Sequence, residues 1–592
     1  LLGALLLAAL PMTTYAAAPA ASTPTAKYVV MIVLDGGRPD YITNNLASMP
    51  NMRQLLTHAR WYNRAWVGNL MTVTPPDHAV IGSGSFPKDD GGIVNWDWGN
   101  HQTGKISPTF QALVNYQNGY AFNVIKSSGT PTLAGVIHEK YPNGLVIAGS
   151  GSHFHAAGPM GGPAANWIFY YDRVNGNWAP VTLGQHPVPK AILNDPSLRT
   201  PLVSNNNSQI PLVYDPVVIG HQDSLVIKTA IKSLQLYKPR GILLNLPEPD
   251  TAGHWVKDSS WYRAERRLYL SFDKDLGNLI AAYKAAGIYD QTLFVITADH
   301  GITHYHHRVL DRSAVQNQIN STLGSNSTIL FNGGGRGGPS MASIWLKNPA
   351  NNQRMAKAIF AKHYDNVSAA YYLTNSNGHY IYKLAGCEGD TPSPSQTCSP
   401  ALKAAYSYLM STDAGTTGED IAILFRENTG NSQLPIMFGR HGGADWASLH
   451  VSLIFSGPGV QPGTSDHPAR LADIAPTIER FMGITPDARD GLVLADAFQN
   501  PNAADVTAQN TSDQTLNVYV NALMQRAQTD LKMESAGKIP NYIPPDEMPP
   551  IHWKRRLAVT IAGAVVLLIT AIGIGWAIAE VRRQGTGLTW VE

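Results

Sequence analysis

The chain has 592 residues, with 44 Lys plus Arg against 42 Asp plus Glu and a formal net charge of +2 at pH 7. So even a balance leaves no basic excess to displace phosphate counterions, which argues against nucleic acid as a partner. Charged residues are only 15% and hydrophobic residues 44%, so most of the chain is expected to fold rather than remain disordered.

The sequence opens on LLGALLLAAL, followed by small residues around Ala18. An apolar stretch ahead of small residues predicts a secretory signal over 1–18. A folded body follows: an α/β core in two parts, 27–311 and 420–528, interrupted by an inserted cap at 312–419. Short continuous apolar runs predict buried strands. They are YVVMIVL ending at Leu34, LVIAG ending at Gly149, GILLNL ending at Leu246, TLFVIT ending at Thr297, and VSLIF from Val451 to Phe455. Helical periodicity lies between them, at Ser224 to Leu236 and Tyr262 to Ala286. Fully apolar strands alternating with helices predict an α/β fold with a mainly parallel sheet and helices on both faces.

Polar residues follow these strands in a pattern. Asp35 follows the first, Asp250 and His254 follow GILLNL, and Asp299 and His300 follow TLFVIT. Ligands of parallel α/β sheets bind outside the carboxyl ends of the strands, so these side chains should converge at one edge. His441, in FGRHGGADW, could reach that edge from a loop. Mixed Asp and His donors without Cys suit zinc, with another divalent ion possible. The set is too large for one tetrahedral site and suits two metals, the arrangement that clamps a phosphoryl group. Thr74, in TPPDH, is the candidate nucleophile. With Pro75 at the first helical position Thr74 would be the N-cap, facing free N–H groups where phosphate binds. A pure capping role with Asp77 is the other reading.

Further features are less specific. His153 and His155 in SHFH follow the strand ending at Gly149 and could contact substrate. His304, His306 and His307 could line the substrate entrance or bind a further metal, with a solvated loop as the other reading. Arg336, in GGGRGG, could reach an anionic substrate from the cap. Cys387 and Cys398 read as a disulfide closing a Pro/Ser loop. Residues 529–556 read as a linker with a Pro-rich stalk, and 557–579 as a transmembrane helix, its 23 uncharged residues exceeding the roughly 20 that a span needs. Residues 580–592 would be a short tail. Signal and span together predict an extracytoplasmic catalytic body anchored to a membrane by one C-terminal helix.

The motifs Asp35, Thr74 to His78, Glu248 to His254, Ala298 to Gly301 and the His441 loop occur in the order seen in the alkaline phosphatase superfamily. The chain resembles its type I phosphodiesterase/nucleotide pyrophosphatase branch, near the threonine-dependent alkaline phosphatases. The resemblance implies two Zn2+, one held by Asp250, His254 and His441 and one by Asp35, Thr74, Asp299 and His300. It implies attack by Thr74 on phosphorus and hydrolysis of a phospho-threonine intermediate. It gives Asn95 the role of hydrogen-bonding a phosphoryl oxygen. One monoesterase branch carries Lys-any-Arg where this chain has His153 and His155, which removes two permanent charges and favours a diester. The implied function is a phosphoric ester hydrolase acting on a small phosphate ester or nucleotide, of phosphodiesterase/nucleotide pyrophosphatase type. A phosphomonoesterase, or an inactive surface binding protein of the same fold, are the alternatives.

Overall fold

The computed structural model describes residues 25–90, 97–108, 128–183, 187–201, 221–256, 258–304, 308–331, 340–364, 366–389, 397–413, 415–430 and 439–535. The expected signal at 1–18, the Pro-rich stalk and the apolar run at 557–579 lie outside these residues. Among the described residues no helix is long and apolar enough to cross a membrane. This corrects the expectation of a membrane anchor, for which the described residues supply no spanning helix.

The first eight strands used below are β1 (Tyr28–Leu34), β2 (Ala59–Tyr62), β3 (Val146–Ser150), β4 (Trp167–Val174), β5 (Asn177–Leu183), β6 (Thr200–Pro201), β7 (Gly241–Leu246) and β8 (Thr292–Thr297). An insertion adds β9 (Thr328–Phe331), β10 (Met341–Leu346), β11 (Val367–Ser376), β12 (His379–Cys387) and β13 (Ile421–Phe425). The chain returns with β14 (Leu453–Ser456) and β15 (Gly463–Ser465). The main sheet has the order β15-β2-β14-β8-β1-β7-β3-β4-β5-β6. Its centre, β8-β1-β7-β3-β4, is parallel throughout.

The absence of polar alternation in the central strands has a direct cause. Val29, Met31 and Val33 of β1 enter one apolar cluster, while Val30, Ile32 and Leu34 enter another on the opposite face. Helices cover both: α1 (Thr74–Ser83) and α2 (Phe154–Gly161) supply Val80, Ile81, Ala157 and Met160 to the first cluster. Below α3 (Glu248–Trp255), the long helix α4 (Asp258–Ala285) supplies Leu268, Phe272, Leu276 and Leu279 to the second. A strand buried on both faces has no solvent side to mark in its sequence.

Strand β14 is antiparallel to β8, a departure from the parallel core. The reversal matters because it brings the start of β14, and the loop before it, to the carboxyl edge of the parallel strands.

The insertion forms an antiparallel sheet of order β9-β10-β13-β11-β12. Strand β13 lies inside this sheet, so the insertion runs past the expected boundary at 419. One face packs on Val315, Ile319, Met355 and Ile359. The other joins the main core through Met341, Ala369, Tyr371 and Leu424, together with Leu402 and Leu409 of α5 (Pro400–Ser411). Cys387 and Cys398 form a disulfide between the end of β12 and the approach to α5, with Cα atoms 5.5 Å apart. Finally, α6 (Ala503–Ser535) continues into the stretch expected to be linker. The reason is Asp530, fully buried and paired with Arg426 at 2.7 Å and Arg526 at 3.2 Å.

Candidate active site

Parallel strands deliver their carboxyl ends to one edge. Asp35 directly follows β1, Asp299 follows β8 by one residue, and Asp250 sits in the first turn of α3 after β7. The chain turns sharply after Asp35 at Gly36, whose φ is +69°. A Cβ there would come within 3.0 Å of the Asp250 Cα and of Ile302, so only glycine fits. In exchange, the Gly36 N–H donates to Asp299 Oδ1 at 3.1 Å. His441 arrives from the other direction. Gly439–Arg440 pairs antiparallel with Thr303–His304, just beyond the Asp299–His300 turn.

Thr74 is the first residue of α1, and extended Val73 is the N-cap, without a side-chain capping bond. This corrects the expected capping role: Pro75 and Pro76 follow Thr74, and its hydroxyl is turned to the cluster instead. Thr74 Oγ1 lies 3.2 Å from His300 Nε2 and 3.5 Å from Asp35 Oδ1.

The donor atoms fall into overlapping sets. Asp250 Oδ1 faces His254 Nε2 at 3.3 Å and His441 Nε2 at 3.4 Å. The other nitrogen of each ring is held by a backbone carbonyl: Gly439 O at 2.8 Å from His254 Nδ1, and Thr72 O at 2.7 Å from His441 Nδ1. Such second bonds fix which nitrogen of a ligating His faces a metal. On the other side, His300 Nε2 lies 3.2 Å from Asp299 Oδ2 and 3.6 Å from Asp35 Oδ1. Grouped by distance, Asp250, His300 and His441 have donor atoms within 4.8 Å of one another, as do Asp35, His78 and Asp299, and Asp35, His153 and Asp250. His300 thus stands between the two halves rather than wholly with Asp35 and Asp299.

Charge explains what these sets need. Burial raises the carboxyls of Asp35 and Asp299 well above the usual range, and the negative charges of Asp250 on Asp35 and of Asp35 on Asp299 add to it. Burial pushes the imidazoles down instead, His441 to about 4 and His300 well below its usual value. Asp250 Oδ1 and Asp299 Oδ2 are buried and accept no hydrogen bond. Close carboxylates, neutral imidazoles and unpartnered oxygens fit a cation, and the N and O donors fit zinc.

His153 Nδ1 lies 3.0 Å from Asp35 Oδ2, and the His155 ring stacks at a tilt on His153 with centroids 4.7 Å apart. Burial lowers both imidazoles. Asn95, Arg336, His306 and His307 lie outside the described residues; the backbone of His304 pairs with Gly439.

Three residues at this edge escaped the sequence reading. Asn245, fully buried in β7, donates from Nδ2 to Asp35 Oδ2 and to Ser150 Oγ, each at 3.1 Å. His78 Nε2 lies 3.0 Å from Asn245 Oδ1. The available signal was Asn245 itself, a lone amide in the otherwise apolar run GILLNL.

A mainly parallel sheet covered by helices, with its polar cluster at the carboxyl edge, defines a mixed α/β protein of alkaline-phosphatase-like architecture. The type I phosphodiesterase / nucleotide pyrophosphatase family matches residues 29–392, more than half of the chain, and the chain belongs to that family. Membership supports a phosphoric ester hydrolase. The wild-type alkaline phosphatase PafA is similar in fold, at 16% identity and a TM-score of 0.60 over 81% of this chain and 100% of that one. Murine ectonucleotide pyrophosphatase/phosphodiesterase 5 is 15% identical, with a TM-score of 0.49 over 78% of this chain and 97% of that one. No curated protein matches the chain.

Proposed function

We propose that the protein is a zinc-dependent hydrolase of phosphodiesters or nucleotide pyrophosphates, with Thr74 as nucleophile. The observation that carries this reading is the placement of the Thr74 hydroxyl at a helix N-terminus, within 3.5 Å of both Asp35 and His300. Asp250, His254 and His441 would hold one zinc, and Asp35, Thr74, Asp299 and His300 the second. When bound, the metals supply positive charge to the attacking and leaving oxygens.

The chain's own residues then have distinct tasks. Thr74 Oγ1 forms the bond to phosphorus as the bond to the leaving oxygen breaks. Asp35 Oδ1, 3.5 Å from Thr74 Oγ1, is an acceptor toward which its proton can leave. The positive end of α1 faces the phosphoryl oxygens. Water then cleaves the phospho-threonine, and the Thr74 oxygen recovers a proton. Substrate charge follows from His153 and His155. Both imidazoles are pushed toward the neutral form by burial, so neither offers the fixed charge that the dianion of a monoester calls for. That supports a monoanionic diester.

The deciding assay compares a nitrophenyl phosphate monoester with a bis-nitrophenyl phosphate diester on the zinc-loaded full chain. Faster diester turnover supports the proposal. Faster monoester turnover reassigns the protein as a phosphomonoesterase. No turnover, with no zinc retained by the chain after loading and dialysis, leaves a binding protein of the same fold.

A further inference from the structure

The loop that delivers His441 has little stiffness of its own. It runs His441-Gly442-Gly443, and two glycines in succession give a backbone its greatest freedom. Gly442 has a φ of +101°, and a Cβ on Gly443 would lie 2.4 Å from the Ser340 carbonyl oxygen. Bonds from outside must therefore hold this path. From the side of the insertion, the Ser340 N–H donates to the His441 carbonyl at 2.8 Å. On the core side stands Thr72, fully buried and two positions before Thr74.

Thr72 meets three consecutive residues of the loop. His441 Nδ1 donates to the Thr72 carbonyl at 2.7 Å. The Gly442 N–H donates to Thr72 Oγ1 at 2.8 Å, and Thr72 Oγ1 donates in turn to the Gly443 carbonyl at 3.0 Å. Each proton in this set has one acceptor. The neutral ring carries its single proton on Nδ1, so Nε2 keeps a lone pair on the side of Asp250 Oδ1, 3.4 Å away. The hydroxyl gives its hydrogen to Gly443 and accepts that of Gly442. A methyl in its place would leave a buried N–H and a buried C=O without that partner, which is costly in an interior that excludes water.

We propose that Thr72 is a positioning residue whose hydroxyl clamps the glycine loop, and so aims His441 Nε2 at the zinc shared with Asp250 and His254. The inference rests on the assignment of His441 as a zinc ligand in the function proposed above. Groups that orient a ligating imidazole set metal affinity by roughly 10–100-fold, which gives the size of the expected effect.

The test withdraws zinc from the zinc-loaded full chain with a competing chelator and counts the zinc that remains. The unaltered chain is compared with Thr72→Val, which keeps the shape and loses the hydroxyl, and Thr72→Ser, which keeps the hydroxyl. In Thr72→Val one of the two zinc ions is expected to bind roughly 10–100-fold more weakly, with the other unchanged. Thr72→Ser should hold both as the unaltered chain does. Unchanged affinity in Thr72→Val overturns the proposal, since a hydroxyl that served stability alone would lower only the unfolding temperature. Equal weakening of both ions overturns it, and so does a Thr72→Ser chain that binds as weakly as Thr72→Val. If Thr72→Val does not fold, Thr72→Ala takes its place: weaker binding than in Thr72→Ser supports the proposal, and equal binding overturns it. A His441→Ala chain that keeps both zinc ions would instead remove the ligand assignment itself, so the two failures are distinct.

Discussion

His300 and His441 stack face to face, with ring centroids 3.6 Å apart and planes 11° apart. A positive charge on either ring would be repelled by a charge on the other, and burial already favours the neutral forms. Neutral imidazoles keep the lone pair that a metal needs. The stack also carries His300 toward Asp250, which is why the two donor sets meet at one ring instead of standing apart.

Thr74→Ala should abolish phosphoester turnover while leaving the fold intact. The hydroxyl caps no backbone N–H, so its removal should cost only about 1 kcal/mol. Turnover and thermal unfolding measured on the same sample check both halves. Full retained activity would rule out Thr74 as nucleophile.

Asp250→Ala should lower the zinc bound per chain. Its Oδ1 is the meeting point of His254 and His441, so removing it dissolves one donor set. Elemental analysis after dialysis reads this directly. A stoichiometry equal to that of the unaltered chain would argue against the site as drawn.

Changing His153 and His155 together to Ala should move the monoester and diester rates unequally. His153 touches Asp35 and His155 touches His153, so the pair borders the place where the phosphoryl group would sit. Matched rate measurements on both substrates test it. Equal effects would mean the pair takes no part in choosing the substrate.

Glu265 offers a pH test away from the metal donors. It is buried, at 3% exposure, and accepts from Asn45 Nδ2 at 2.8 Å. Burial first, and the charge of Asp40 second, push its carboxyl up to about 7. A raised pKa means the folded state holds the proton more tightly than the unfolded chain. The associated stability is present below the ordinary pKa of 4.5 and is lost as pH rises toward 7. Glu265→Gln keeps the acceptor and removes the charge. Its unfolding temperature should match the unaltered chain at pH 4.5 and exceed it at about pH 8. Matching temperatures at both pH values would refute the assignment.

Strand positions were legible because continuous apolar runs mark strands buried on both faces. The acids after them were legible because the carboxyl edge of a parallel sheet is where such side chains collect. Thus Asp35, Asp250 and Asp299 could be named from spacing and pattern, although they come from distant parts of the chain. The cap boundary failed by one strand, since Ile421–Phe425 is apolar in the same way as the core strands and composition does not say which sheet will take it. The end of the body failed for a different reason. Asp530 is held by Arg426, and no local signal joins residues so far apart.

Sequence alone determined the α/β class, the main strands and the order of the acidic and imidazole motifs, because burial and strand-end placement leave local marks. Only the tertiary structure decided the antiparallel direction of β14, the turning of Thr74 away from a capping role, the stack of His300 on His441, and the place of Asn245 between Asp35 and Ser150. These depend on strand order and on side chains meeting across the sheet. Hydrogen bonds between distant residues carry no period, and the direction of a short apolar run leaves no trace in its composition.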